Sequence, residues 1–307
     1  MKHLLITGGN GFIGGYVVDE VRSRGYEPHI FDRRQARGVD GDPTDNTVFG
    51  DIKDSTLVDD AVSHSDGVIH LAGVLGTQET VADPRPAAET NILGGLNVIT
   101  ACAKYDVPLV NIAVGNYWMQ NTYSITKNSI ERFIEMKKMY EGKVMTSVRA
   151  LNAYGPRQVP SAPYGPSRIR KIMPSFVCRA LSGEPIEVYG DGKQVMDMIY
   201  VSDVARALVV ALEALVDGAE IEVPLEAGTG RETTVLDIAE QVNTTIGSYL
   251  RTPADIRLLP MRPGEPPHSV VLGDPKTLEQ IGMEARDLVS LEVGVDRTVR
   301  YFMAYLG

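Results

Sequence analysis

Two rhythms of apolar residues alternate along the first half of this chain. Short apolar runs at Leu4–Thr7, His29–Asp32, Thr47–Phe49, Gly67–Leu71, Leu109–Ala113 and Thr146–Arg149 read as strands. Between them, Phe12–Arg24, Ser55–His64, Ala87–Tyr105 and Tyr123–Tyr140 repeat their apolar positions at helical spacing. This alternation predicts an α/β fold, a doubly wound parallel sheet with helices on both faces.

After residue 155 the rhythm breaks. Pro156, Pro160, Pro163 and Pro166 fall beside Gly155 and Gly165, which predicts a long irregular segment. Beyond it the pattern predicts a helix over Pro174–Ser182, a strand over Ile186–Tyr189 and a turn at Gly190-Asp191-Gly192. A strand over Ile199–Val201 and a helix over Ser202–Leu215 are expected to return to the main sheet, with Ser202 as cap and Asp203 in the first turn. A helix over Val235–Thr245, a proline-rich loop over Pro260–Pro267 and two terminal helices complete a smaller C-terminal α/β unit. That unit is expected to cover the carboxyl ends of the strands, where ligands bind in open α/β sheets. The expected division is 1–165, with 198–228 returning, against 166–197 with 229–307.

Composition narrows the function classes. With 43% hydrophobic residues in 307, the chain can build one large or two modest cores. A net charge of −10 argues against a nucleic-acid partner. The local run Arg168-Ile169-Arg170-Lys171 reads equally as a solvated loop or a small-anion contact. Cys102 and Cys178 lie in apolar helical stretches and read as buried thiols. No apolar run reaches the length of a membrane span, and the first strand begins at once, so a cytoplasmic location is expected. No metal is expected.

Candidate chemistry starts at the first strand's end. Gly8, Gly11 and Gly14 stand three apart between an apolar strand and a helical run. A first glycine permits the tight turn, a second lets backbone approach a pyrophosphate, and a third lets helix and strand pack closely. Such turns occur without nucleotides, so context decides. The second strand ends at Asp32, where an acid grips the adenosine ribose. Asp32 favours NAD over NADP, although Arg33 and Arg34 beside it are of the type that receives a 2′-phosphate. Further on, Tyr123 and Lys127 are four apart and share a helix face. A nearby ammonium favours the phenolate, and a nicotinamide cation adds to that effect. An ordinary surface pair would look the same; the upstream dinucleotide motif favours the catalytic one.

With these motifs the chain resembles the extended short-chain dehydrogenase/reductase family, in its NAD-dependent epimerase/dehydratase branch acting on nucleotide sugars. The resemblance implies a Rossmann fold and runs nearly end to end. Thr7-Gly-Gly-Asn-Gly-Phe-Ile-Gly14, including Phe12 and Ile13, resembles the cofactor turn, with Asp32 and Arg33 at the ribose. Asp51 and Ile52 resemble the adenine contacts. Leu71-Ala72-Gly73 resembles the strand end under the cofactor, and Asn91 the asparagine that steadies it. The segment Arg149–Gln158 resembles the strand-to-lid signature, which implies Leu151 near the nicotinamide and Asn152 on a substrate diphosphate. Lys171-Ile172-Met173, Val188 and Arg262 lie in segments similar to those enclosing the nucleotide.

The same resemblance implies a catalytic cycle. Tyr123 takes a proton from a sugar hydroxyl while NAD accepts hydride, and hydride returns to the other face of the ketone. Lys127 holds the ribose and keeps the phenol acidic. The family's serine or threonine after the fifth strand is missing; Asn116 or Thr122 would have to replace it. The acidic run of sugar dehydratases is missing too, and Met196 stands where a diphosphate-binding arginine is expected. The implied partners are a nucleotide sugar, a UDP-sugar above others, and a second copy in a homodimer. For that dimer the stripe Ile130, Phe133, Ile134, Lys137 and Lys138 reads either as an interface or as a face buried on its own sheet. A one-way reductase, a dehydratase and a weakly catalytic nucleotide binder are the alternatives.

Overall fold

The structure, a computed structural model, describes residues 2–34, 46–165, 171–250, 253–262 and 266–306. Arg168, Arg170 and Pro263–Glu265, which belong to sequence motifs, lie outside the described residues.

Seven strands form one parallel sheet: β1 (His3–Thr7), β2 (Glu27–Asp32), β3 (Thr47–Phe49), β4 (Gly67–His70), β5 (Leu109–Val114), β6 (Met145–Ala150) and β11 (Leu225–Ala227). Their spatial order is β11-β6-β5-β4-β1-β2-β3. The chain winds outward from β1 through β2 to β3, then resumes on the other side at β4. The reversal between β1 and β4 opens a crevice at the strands' carboxyl ends, where such sheets bind ligands.

Helices cover both faces, as the alternation predicts. α1 (Phe12–Ser23) and α7 (Val201–Val216) pack together on one face, with Val17, Val21, Leu208 and Leu212 fully buried. Each such side chain contributes about 1.5–3 kcal/mol through burial. α2 (Ser55–Ser63), α4 (Gly95–Tyr105) and α5 (Thr122–Glu141) cover the other face through Val58, Val98, Ile99, Ile130 and Ile134. The helix expected over Ala87–Tyr105 is composite. A short α3 (Arg85–Ala87) leads into a π-helical stretch at Ala88–Gly94 before α4. The hydrophobic period does not distinguish that wider winding, which is frequent at functional sites.

A second core gathers around α6 (Ile172–Leu181), α8 (Val235–Leu250) and α9 (Leu291–Leu306). β8 (Ile186–Tyr189) pairs in parallel with β12 (Ile256–Leu259), and β9 (Val195–Met196) with β13 (Val270–Val271). α8 runs beyond the expected Thr245, and of the two terminal helices expected one is α-helical; residues Pro275–Ile281 form a 3₁₀ turn.

The expected return of Ile199–Val201 to the main sheet is corrected. β10 (Met198–Tyr200) pairs with β7 (Asn152–Tyr154), outside that sheet, whereas α7 and β11 do rejoin it. The expected Ser202 cap is also corrected: α7 begins after Tyr200 without a side-chain cap. Asp203 instead accepts the Val289 N–H at 2.8 Å and an Arg206 N–H at 3.2 Å.

Candidate active site

The glycine turn has the geometry its sequence demands. Gly8 adopts φ +75°, and a Cβ there would lie 2.8 Å from the Ala72 nitrogen, so the turn seats directly on the end of β4. At Gly14 a Cβ would lie 2.3 Å from the Gly8 carbonyl oxygen, which explains the close strand–helix approach. Gly11 is the N-cap of α1 and supplies no side-chain cap. The first-turn N–H groups at Phe12, Ile13 and Gly14 therefore lack a capping side chain, the arrangement that receives a phosphate.

Asp32 is buried at the end of β2. Its carboxylate accepts the Asn10 N–H at 3.1 Å and the Arg34 N–H at 3.0 Å, which ties the glycine turn to β2. Two bonds leave acceptor capacity for ribose hydroxyls. Arg34 Nε approaches the same carboxylate at 3.8 Å, while Arg33 turns to Asp51 at 3.9 Å. Ile52 is buried against Gly94 of the π-helical stretch.

Leu71 and Ala72 hold the other wall, both donating backbone N–H groups to the Thr7 hydroxyl. A Cβ on Gly73 would lie 3.0 Å from Asn91 Oδ1, so that strand end lies against Asn91. The Asn91 amide accepts the Val74 N–H at 2.7 Å and donates to the Val74 carbonyl at 3.1 Å. It also donates to Thr126 Oγ1 at 2.9 Å, and Thr126 donates to the Tyr123 carbonyl at 3.1 Å. Asn91 thus fastens the strand end to the first turn of α5. Leu151 is buried among Gly115, Gly228 and Gly273, each too close to it to carry a side chain.

α5 starts where Asn121 caps it by accepting the Ser124 N–H at 3.0 Å. Tyr123 and Lys127 therefore occupy its first two turns, on one face. Lys127 is buried, and burial pushes its ammonium down to about 8 despite the opposing Glu131 carboxylate. Burial and the Lys127 charge together push His70 down to about 3, so this imidazole is neutral. His70 Nδ1 lies 2.6 Å from the Thr7 hydroxyl, one residue before the glycine turn. Lys127 is in this way placed beside the cradle.

Burial pushes the Tyr123 phenol up to about 12, with no acidifying contribution from Lys127. In the chain alone the phenol is neutral at pH 7.

Both candidates for the missing hydroxyl make a bond within the chain. Thr122 donates to the Thr80 carbonyl at 3.0 Å, and the Asn116 amide donates to the Met119 sulfur at 3.4 Å. Sequence reasoning missed a buried ion network below the pair. Glu131, one turn after Lys127, accepts two bonds from Arg149, at 2.9 and 2.5 Å. Arg149 also bonds Glu226 at 2.9 Å and stacks on Tyr117 at 3.9 Å. Glu226 and Arg149 are set opposite each other by the β6–β11 register, and α5 packed over β6 brings in Glu131.

The substrate side is mixed. Asn152 donates its amide to the Asp197 carbonyl at 3.1 Å. Asp197 is itself fully buried and accepts from Thr229, Gly230 and Gly273. Lys171 and Arg262 lie near enough to interact: desolvation pushes Lys171 down, Glu79 opposes this, and Arg262 adds to it. Arg262 also lies over the Tyr189 ring at 4.8 Å. Ile172 is partly buried, whereas Met173 and Val188 are fully buried in the second core. The burial of Met173 and Val188 leaves their backbone as the part that can meet a ligand. Met196 sits on β9, with its backbone N–H on the Thr233 carbonyl.

Known proteins share this architecture. The UDP-glucose 4-epimerase of Thermotoga maritima, solved with UDP-glucose, is 30% identical and superposes with a TM-score of 0.85, covering 99% of this chain and 100% of that one. The UDP-glucose 4-epimerase of Thermus thermophilus, solved with NAD, is 27% identical with a TM-score of 0.83, covering 98% and 99%. A UDP-N-acetyl-alpha-D-glucosaminuronate decarboxylase of Bacillus cytotoxicus is 28% identical over 79% of each chain. The sequence model of the NAD dependent epimerase/dehydratase family matches residues 4–223, and the chain, with its glycine turn, Asp32 and Tyr123–Lys127 pair, belongs to that family.

Proposed function

We propose that the chain is a nucleotide-sugar epimerase that uses NAD catalytically, with a UDP-sugar as substrate. The observation that supports this most is the linkage of Tyr123 and Lys127 to the glycine turn, through Asn91 on one side and His70–Thr7 on the other. The residues fit a dinucleotide: Gly8, Gly11, Phe12, Ile13 and Gly14 would receive the pyrophosphate, Asp32 the adenosine ribose, and Asp51 and Ile52 the adenine. Leu71, Ala72, Gly73 and Leu151 would line the nicotinamide end. Bound NAD would accept hydride from a sugar carbon and return it to the opposite face.

The chain's own groups do the remaining work. Tyr123 accepts the proton of the sugar hydroxyl as hydride leaves and gives it back afterwards. Bound NAD would bring the positive nicotinamide that lowers the phenol, and Lys127 would hold the cofactor's ribose. Arg262, Lys171 and Asn152 hold the nucleotide diphosphate. No acid lies between Gly115 and Thr122, so this turn offers no general acid for expelling water.

The second copy in a homodimer would meet α5. Ile130 and Ile134 of the sequence stripe are buried against their own sheet, whereas Ile125, Met136, Met139 and Tyr140 are exposed on that helix.

The test is Tyr123→Phe assayed against a panel of UDP-sugars. Turnover is expected to fall by about 10²–10⁴ while NAD binding stays near that of the native chain. Retained turnover removes Tyr123 from the mechanism.

A further inference from the structure

At the end of the sheet away from the glycine turn, three metal-ligating side chains meet. His3 opens β1, and Glu27 and His29 lie on β2; the parallel register sets His3 opposite Glu27. Residues two apart on a strand share a face, so Glu27 and His29 point the same way. His3 Nδ1 lies 3.2 Å from His29 Nε2 and 3.3 Å from Glu27 Oε2. His29 Nε2 lies 3.5 Å from Glu27 Oε1.

Two ring nitrogens facing each other beside a carboxylate are drawn together by a proton or a cation between them. One proton shared by the two imidazoles satisfies a single contact, whereas one cation at the centre satisfies all three. The distances also fit. Metal–ligand bonds of about 2.0–2.1 Å held tetrahedrally set neighbouring donor atoms about 3.3–3.4 Å apart. The two ring nitrogens, 3.2 Å apart, meet that spacing, and the carboxylate presents one oxygen to each ring, Oε2 at 3.3 Å from His3 and Oε1 at 3.5 Å from His29. Two imidazoles with one carboxylate suit a zinc-class ion, whereas magnesium and calcium favour all-oxygen sets.

An outer layer orients the ligands. Asn46 donates its amide to Glu27 Oε1 at 2.8 Å, and Asp66 accepts the His3 backbone N–H at 2.9 Å. Outer partners of this kind fix ligand direction in metal sites. The cluster is partly exposed and adjoins a hollow lined by Lys2, Arg22, Tyr26, Glu27 and Asn46. Solvent can therefore supply the fourth ligand.

We propose that His3, Glu27 and His29 form a three-ligand site for a zinc-class divalent ion, completed by water. The ion clips the amino end of β1 to β2, at the opposite end of the sheet from the redox residues.

The test titrates Co²⁺ into untagged, chelator-treated full-length chain and follows the visible bands of tetrahedral cobalt. One equivalent is expected to bind, to be displaced by Zn²⁺, and to raise the thermal midpoint. His29→Asn and Glu27→Gln, both at partly exposed positions, should each weaken binding by at least about tenfold. His64→Asn and His268→Asn should leave it unchanged. Native chain without the cobalt bands, or both ligand variants titrating like the native chain, overturns the site.

Discussion

Lys127 is a buried cation, and its removal should stabilise the chain. Burial lowers its ammonium from an ordinary value of 10.5 to about 8. That drop converts to a penalty of about 3 kcal/mol for keeping the charge in the folded state. Lys127→Met keeps the apolar stem and deletes the charge. The Glu131 carboxylate left behind retains both bonds to Arg149. The variant should therefore be more stable by about 1–3 kcal/mol at pH 7, while losing activity. The sign with pH follows from the two values. The folded lysine discharges near 8 and the unfolded one near 10.5, so the penalty is complete below 8 and disappears as pH rises to 10.5. Urea unfolding of both proteins at pH 7 and again near 10 measures the gap. A variant less stable than the native chain at pH 7, or a gap that ignores pH, refutes the reasoning.

Other substitutions test other parts of the site. Gly14→Ala drives a Cβ to 2.3 Å from the Gly8 carbonyl and 2.6 Å from that of Gly9, both rigid backbone. A loss of about 3 kcal/mol or more in denaturant unfolding is expected, together with loss of NAD binding. Asn91→Ala leaves the Val74 N–H and carbonyl without their partner, costing about 1–3 kcal/mol by the same assay. Asp32→Ala removes the acceptor for the Asn10 and Arg34 N–H groups. NAD titration should show affinity about ten- to a hundredfold weaker, with discrimination against NADP reduced.

The first half of the fold was legible because its strands are central and apolar and its helices long and periodic. Gly8, Gly14 and Asp32 were legible for the same reason, since each answers a local backbone requirement that spacing alone reveals. Pairing between distant three-residue strands was not. β10 joins β7 instead of the main sheet, and β11 takes the sheet edge, because partners of such short strands are chosen by tertiary packing. The π-helical winding around Asn91 escaped because a hydrophobic period cannot resolve one extra residue per turn. The state of Tyr123 escaped for a different reason. Its spacing to Lys127 showed a shared face, but the desolvation that raises its pKa depends on everything packed around it. That the side chains of Met173 and Val188 face the second core is visible only from packing, because a family-like segment does not show which way a side chain turns.

The most direct test of the redox cycle follows the hydrogen on the reacting sugar carbon. UDP-glucose deuterated at C4 is incubated with the chain and a catalytic quantity of NAD, and the products are followed by NMR with absorbance read for reduced cofactor. Epimerisation through Tyr123 predicts an inverted C4 that keeps its deuterium, with no net reduction of NAD. Stoichiometric accumulation of reduced cofactor, or a product that has lost water, would contradict the account.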